Sequence, residues 1–150
     1  MDDIAVQDRL IPTTTCFGCG PANPRGLRLK SYLRDGFVTA TFLPWPEHDN
    51  GVGFLNGGII ATLLDCHTAA AVLNEAALNG WDAPPGFPIP FVTAGIDVRY
   101  LRPSPLDSPV ELRAVVTDSS PAEIVCDAEL RFEDKTRATG HAVWKRLRPR

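Results

Sequence analysis

The sequence predicts an α+β fold in which one long helix lies wrapped in a strongly curved antiparallel sheet of about six strands. Three observations point there. A long, mostly apolar run with helical spacing extends from about Gly57 to Asn79 and is stopped by Gly80. Two strand-like runs precede it and four follow it, and the later ones alternate apolar and polar residues with a strict period of two. There is no internal repeat and no low-complexity segment, so the layers must come from this one helix and one sheet.

Residues 1–25 are rich in turn formers (T-T-T-C-F-G-C-G-P-A-N-P-R at its end) and are expected to form an irregular arm, with a single folded domain over 26–150. Residues 27–33 and 37–43 flank the turn R-D-G and read as an antiparallel hairpin. A proline-bearing loop then leads into the helix, roughly 33 Å long at about 1.5 Å per residue. Its alanines, among them Ala61, Ala69, Ala70 and Ala71, permit close approach to a sheet. A second proline-rich loop over 80–90 leads to strands at about 91–101, 110–117, 123–133 and 136–147. In the first of these Val92, Ala94, Ile96, Val98 and Tyr100 alternate with Thr93, Gly95, Asp97 and Arg99; in the third Ile124, Cys126, Ala128, Leu130 and Phe132 form the apolar set.

At 150 residues, 44% hydrophobic and 22% charged, the chain can bury one substantial core. A net charge of -3 and a pI near 5.5 give no overall basic field for nucleic acid or an anionic membrane. The acidic N-terminal residues read as neither signal nor transit peptide, and no later stretch reads as a membrane span, so a cytoplasmic protein acting on a small molecule is expected.

Four cysteines are expected to be reduced thiols in that compartment. Cys66 and Cys126 sit in apolar patterns and read as core. Cys16 and Cys19 form C-F-G-C, but zinc wants four ligands, and no second C-x-x-C or paired histidines supplies the rest. Nor does the pair open a helix, as a redox motif would. A structural turn is therefore expected, with no metal and no cofactor.

Between Gly57 and Ala71 the one charged side chain is Asp65, among residues that otherwise pack against a core. A carboxylate near a helix start often only compensates the helix dipole, but Asp65 lies about two turns in, where that benefit has faded. Partial burial would raise its pKa into the range of a general base. Gly58, Ala61, Thr62, Asp65 and Ala69 share one helix face. Gly57 and Gly58 leave the helix entrance open, where unsatisfied N–H groups can receive an oxyanion or a thioester carbonyl.

The motif N-G-V-G-F-L-N-G-G-I-I-A-T-L-L-D over residues 50–65 resembles that of the hotdog-fold PaaI-like acyl-CoA thioesterases, which read Asn, a Gly-rich loop, His-Gly-Gly, and an Asp seven residues after the second Gly. The C-F-G-C-G-P-A-N-P-R-G-L-R-L arm and the strand F-V-T-A-G-I-D-V-R-Y-L-R-P are similar to segments of that superfamily. The resemblance implies a hotdog fold and a thioester hydrolase acting on an acyl-CoA. It implies Asp65 as general base or nucleophile, Gly57 as the backbone donor to the thioester carbonyl, Asn50 as the group orienting carbonyl or water, and Thr93 as the residue positioning that water. It also implies a dimer, or a dimer of dimers, in which Asp65 of one subunit faces Asn50 and Gly57 of another. Asn56, which with Gly58 would contact substrate, departs from the pattern by replacing the family's His: an amide hydrogen-bonds but does not titrate.

Two other functions stay open on these residues: a non-catalytic acyl-CoA-binding or regulatory module, which Asn56 favours, and a hydratase, which Asn56 disfavours by removing the histidine. Aromatics Trp45, Phe54, Trp81 and Phe87 stand in loops that can line an acyl pocket, and Arg99, Arg102, Lys145 and Arg146 are candidate partners for coenzyme A phosphates. His48 and His67 are expected to be structural rather than catalytic.

Overall fold

The computed structural model describes residues 3–150. Its elements run α1 (Val6–Leu10), β1 (Tyr32–Arg34), β2 (Phe37–Phe42), a 3-10 turn at Pro46–His48, α2 (Gly57–Asn79), β3 (Phe91–Tyr100), β4 (Val110–Ser119), β5 (Glu123–Phe132) and β6 (Lys135–Arg146). All six strands form one antiparallel sheet in the order β1-β2-β4-β5-β6-β3, packed around α2. This is the hotdog fold.

Helix α2 keeps both predicted ends. Asn56 caps its start, and Gly80 ends it at φ 70°, the left-handed conformation that glycine takes without strain. Leu63, Leu64 and Val72 are fully buried against the sheet, each contributing on the order of 2 kcal/mol by removal from water. By length and composition alone α2 is apolar enough to cross a bilayer, contrary to the sequence expectation that no stretch qualifies; its apolar surface is instead taken up by the sheet, as 61% of the window is buried. The β5 alternation holds, with Ile124, Cys126, Ala128 and Leu130 buried.

Three further expectations are corrected. The arm is not wholly irregular: α1 forms within it, burying Val6 and Gln7, and the Gln7 amide bonds both the Ser31 hydroxyl and the Ser31 N–H. The first hairpin strand is only three residues long, because Arg28 takes φ 52° and the Leu27 and Leu29 N–H groups bond back to the carbonyls of Phe17 and Gly18. The hairpin turn itself is as read, with Asp35 and Gly36 both at positive φ, the pairing that suits twisted strands.

The third correction concerns β3. A bulge at Ala94 shifts its register against β6, so that Thr93 pairs with Trp144 and Gly95 with Val143. Beyond it, Ile96, Val98 and Tyr100 pair with Ala142, Gly140 and Ala138. Thr93 therefore shares a sheet face with Ile96, Val98 and Tyr100 rather than opposing them, because one inserted residue reverses side-chain parity. As the terminal strand of the sheet, β3 pairs with β6 on one side only, which is why it is largely exposed despite its apolar residues.

Candidate active site

Asp65 sits half-buried on the face of α2 that looks toward β3, and its Oδ1 accepts a hydrogen bond from the Thr93 hydroxyl at 2.7 Å. Burial pushes the Asp65 carboxyl above its ordinary value; the Thr93 bond works against this, and the nearby Cys16 adds to the rise. Asp65 and Thr93 line a largely apolar cavity of about 600 Å³ together with Cys16, Cys19, Phe91 and Trp144. Beneath it, Thr68 Oγ1 donates to the Asp65 carbonyl at 2.7 Å and accepts from the Trp144 indole at 3.1 Å, fixing the helix turn that carries Asp65.

At the start of α2 the Asn56 side-chain oxygen accepts from the N–H groups of Gly58 at 2.8 Å and Ile59 at 3.2 Å. Asn56 is thus the helix cap, a role for which Asn is among the best residues. Its consequence is that the Gly58 donor, expected to stay open for substrate, is spent within the chain. The Gly57 N–H remains without an acceptor among the described residues. The Gly57 carbonyl accepts from the Tyr100 hydroxyl at 2.7 Å.

Asn50 holds its own loop: its Oδ1 accepts from the N–H groups of Val52 at 2.9 Å and Phe54 at 3.2 Å. Asn50, Gly57, Phe54, Tyr100 and Arg102 line a second cavity, of about 490 Å³. Within one chain the expected site residues therefore fall into two groups, Asp65 with Thr93 and Gly57 with Asn50. Asp65 comes eight positions after Gly57 in the helix, about 12 Å along its axis.

Tyr100 and the three cysteines Cys16, Cys19 and Cys66 are the neighbours that sequence reasoning missed. Tyr100 carried no signal beyond being an apolar residue at a strand end. Of the two histidines expected to be structural, the His67 ring bonds the Ser31 hydroxyl at 3.0 Å and the Val38 carbonyl at 2.8 Å, while His48 Nδ1 accepts from the Trp45 N–H at 3.0 Å. Of the four candidate phosphate partners, Arg99 pairs with Asp97, Lys145 with Glu123, and Arg146 bonds the Pro121 and Asp82 carbonyls, leaving Arg102 at the second cavity. Of the four loop aromatics Phe54 lines that cavity, whereas Trp81 packs on Phe91 and Trp45 stacks on His48.

A half-buried carboxylate bonded by a hydroxyl is a group able to activate a nucleophile, and a helix N-terminus with an unpaired N–H is one able to receive an oxyanion. The sequence profile of the thioesterase superfamily matches residues 52–139, more than half of the chain, and the chain belongs to that superfamily. A thioesterase superfamily protein from Shewanella loihica is 32% identical, over 85% of this chain and 98% of its own, with a TM-score of 0.63. The fold is shared with the E. coli PaaI protein of the phenylacetic acid degradation operon (20% identity, 81% of each chain, TM-score 0.66). It is shared too with a Streptococcus mutans protein bound to acetyl CoA (18% identity, 81% of this chain and 90% of that one, TM-score 0.64). No curated protein matches the sequence.

Proposed function

We propose that this chain hydrolyses the thioester bond of a small aryl- or medium-chain acyl-CoA, as a cytoplasmic enzyme that needs no cofactor. The observation that carries the reading is the Thr93–Asp65 hydrogen bond in a largely apolar cavity, on a chain of the thioesterase superfamily. The carboxylate takes a proton from water as the water oxygen attacks the thioester carbonyl carbon. Alternatively, it attacks that carbon itself, giving a mixed anhydride that water then opens. In either case the carbonyl oxygen gains charge and is received by the Gly57 N–H at the positive end of α2. The C–S bond then breaks and coenzyme A leaves as a thiolate that takes up a proton.

Asp65 and Gly57 lie too far apart in one chain to act on one carbonyl, so the reading requires two copies. β3 offers the means. Its outer edge has no strand on it among the described residues, and antiparallel pairing with a second β3 places the Thr93 end of one strand beside the Tyr100 end of the other. Each site then takes Asp65 and Thr93 from one subunit and Asn50 and Gly57 from the other. Such dimers can pair further into tetramers. The S. mutans neighbour bound to acetyl CoA supports a coenzyme A thioester as ligand, and Arg102 beside the Gly57 cavity is the cation we assign to its phosphates.

Release of free thiol from a panel of short, medium, long-chain and aryl acyl-CoAs tests the proposal, with native protein beside Asp65→Asn. Turnover that collapses in Asp65→Asn supports it, and the panel identifies the acyl class. Turnover unaffected by Asp65→Asn removes the base. The second reading, a module that binds acyl-CoA without hydrolysing it, is favoured by one observation: Asn56, where the family pattern has His, is engaged as the helix cap. Native protein that binds acyl-CoA but releases no thiol, with activity gained in Asn56→His, would establish that module.

A further inference from the structure

The sulfurs of Cys16, Cys19 and Cys66 all lie within 4.8 Å of one another, although Cys66 comes from the core helix and the other two from the N-terminal arm. The Cys16 and Cys66 sulfurs are 3.7 Å apart. We infer that these three thiolates form a binding site for a thiophilic divalent metal ion of the zinc type, which ties the arm to α2 beside Asp65. Tetrahedral coordination with Zn–S distances of about 2.3 Å sets neighbouring sulfurs about 3.8 Å apart, the spacing seen for Cys16 and Cys66. A disulfide would require about 2.05 Å.

The surrounding chain is built for this spacing. A side chain at Gly18 would place its Cβ 2.2 Å from the Cys66 sulfur, and one at Gly20 would stand 2.3 Å from the Cys16 backbone nitrogen. The arm can therefore reach the helix only with glycine at both positions. The turn is closed by the Gly20 N–H on the Cys16 carbonyl at 2.8 Å, and its flank is held by Leu27 and Leu29 on Phe17 and Gly18.

The Cys16 and Cys66 sulfurs already stand within hydrogen-bond distance of each other, so a metal ion would enter a preformed cluster of thiols. On binding, the metal displaces the thiol protons, which pass to solvent.

Three sulfurs leave the fourth coordination position to the exposed side of Cys16, where the Asp65 cavity opens. A water molecule or a small ligand can complete the shell there. This inference is independent of the hydrolase reading, because its readouts are metal content and spectra.

The test uses the full chain, stripped of metal by chelation under reducing conditions and titrated with Co(II) and with Zn(II). Native protein is expected to bind Co(II) in equimolar amount, with sulfur-to-cobalt charge-transfer absorption in the near ultraviolet and tetrahedral bands in the visible, displaced by Zn(II). Cys16→Ala, at an exposed position, should stay folded by circular dichroism and bind at least tenfold more weakly. Cys126→Ala, remote from the cluster, should bind like native. Zn(II) should also slow alkylation of Cys16 in the native protein by at least tenfold. Absence of the charge-transfer band in native protein, its persistence in Cys16→Ala, or a Cys16–Cys19 or Cys16–Cys66 disulfide as the air-stable state would overturn the inference.

Discussion

Thr93 and Tyr100 stand an odd number of residues apart on β3, yet both hydroxyls donate to α2, Thr93 to the Asp65 carboxylate and Tyr100 to the Gly57 carbonyl, each at 2.7 Å. On a regular strand they would face opposite sides of the sheet. The bulge at Ala94 turns them to the same side, so one inserted residue aligns β3 with both ends of the candidate site.

Thr93→Val removes a donor that favours the charged form of Asp65. The carboxyl, already above its ordinary value through burial, rises further, so the acid limb of the rate profile should move to higher pH. Hydrolysis at neutral pH should fall by about tenfold to a hundredfold, the worth of a hydrogen bond to a charged group. Thr93→Ser should restore both. An acid limb that stays in place in Thr93→Val would show that Asp65 does not govern it.

Gly57→Pro deletes one N–H while keeping the helix, since proline is favoured at the first helical position and Asn56 already has the extended backbone that precedes proline. Loss of a single oxyanion donor should lower kcat by about 10²–10³-fold with little change in thermal midpoint. A Gly57→Pro protein of native activity would remove the oxyanion role.

Mixing of inactive variants tests the shared site. Asp65→Asn and Gly57→Pro subunits, unfolded together and refolded, should recover about a quarter of native activity, because half of the dimers are mixed and each of those has one intact site. If both site halves came from one chain, no activity would return.

Asn56→Ala should lower stability by about 1 kcal/mol through loss of the cap, read from the urea midpoint, whereas Asn56→Asp should hold it or raise it by a few tenths through the helix dipole. Equal midpoints for Asn56→Ala and native protein would contradict the cap.

His67, fully buried between Ser31 and the Val38 carbonyl, is held down to about 4, first by burial, while the Val38 carbonyl pulls the other way. Below its ordinary value of 6.5 the unfolded state takes up a proton that the folded state refuses. Stability from this residue is therefore complete above about pH 6.5 and lost as the pH falls toward about 4, by on the order of 3 kcal/mol. The raised Asp65 opposes this at the acid end, so the clean readout is the His67 ring resonance by NMR, which should stay in its neutral position at pH 5.5. Titration near 6.5 would refute this.

Much of this molecule is written locally. The α2 boundaries follow from Asn56 and Gly80, the β5 core face from its period of two, and Asp65 stands out because it is the lone charge on an apolar helix segment; each depends on a few neighbouring residues. The short first strand escaped because Arg28 takes a left-handed conformation to let Leu27 and Leu29 bond the arm, a contact made at a distance in sequence.

What only the tertiary structure decided are the relations between distant segments. The sequence by itself determined that Cys16 and Cys19 share a turn and that Cys66 lies in the core; packing of the arm on α2, through Gly18, brought their sulfurs into one cluster. It determined that Thr93 lies on a strand after the helix, but the β6 register and the bulge decided that its hydroxyl meets Asp65. Periodicity reports which face of an element a residue occupies, because that follows from local backbone geometry. Which residues meet across elements depends on register and on side chains packed from far along the chain, and one inserted residue is enough to reverse a face.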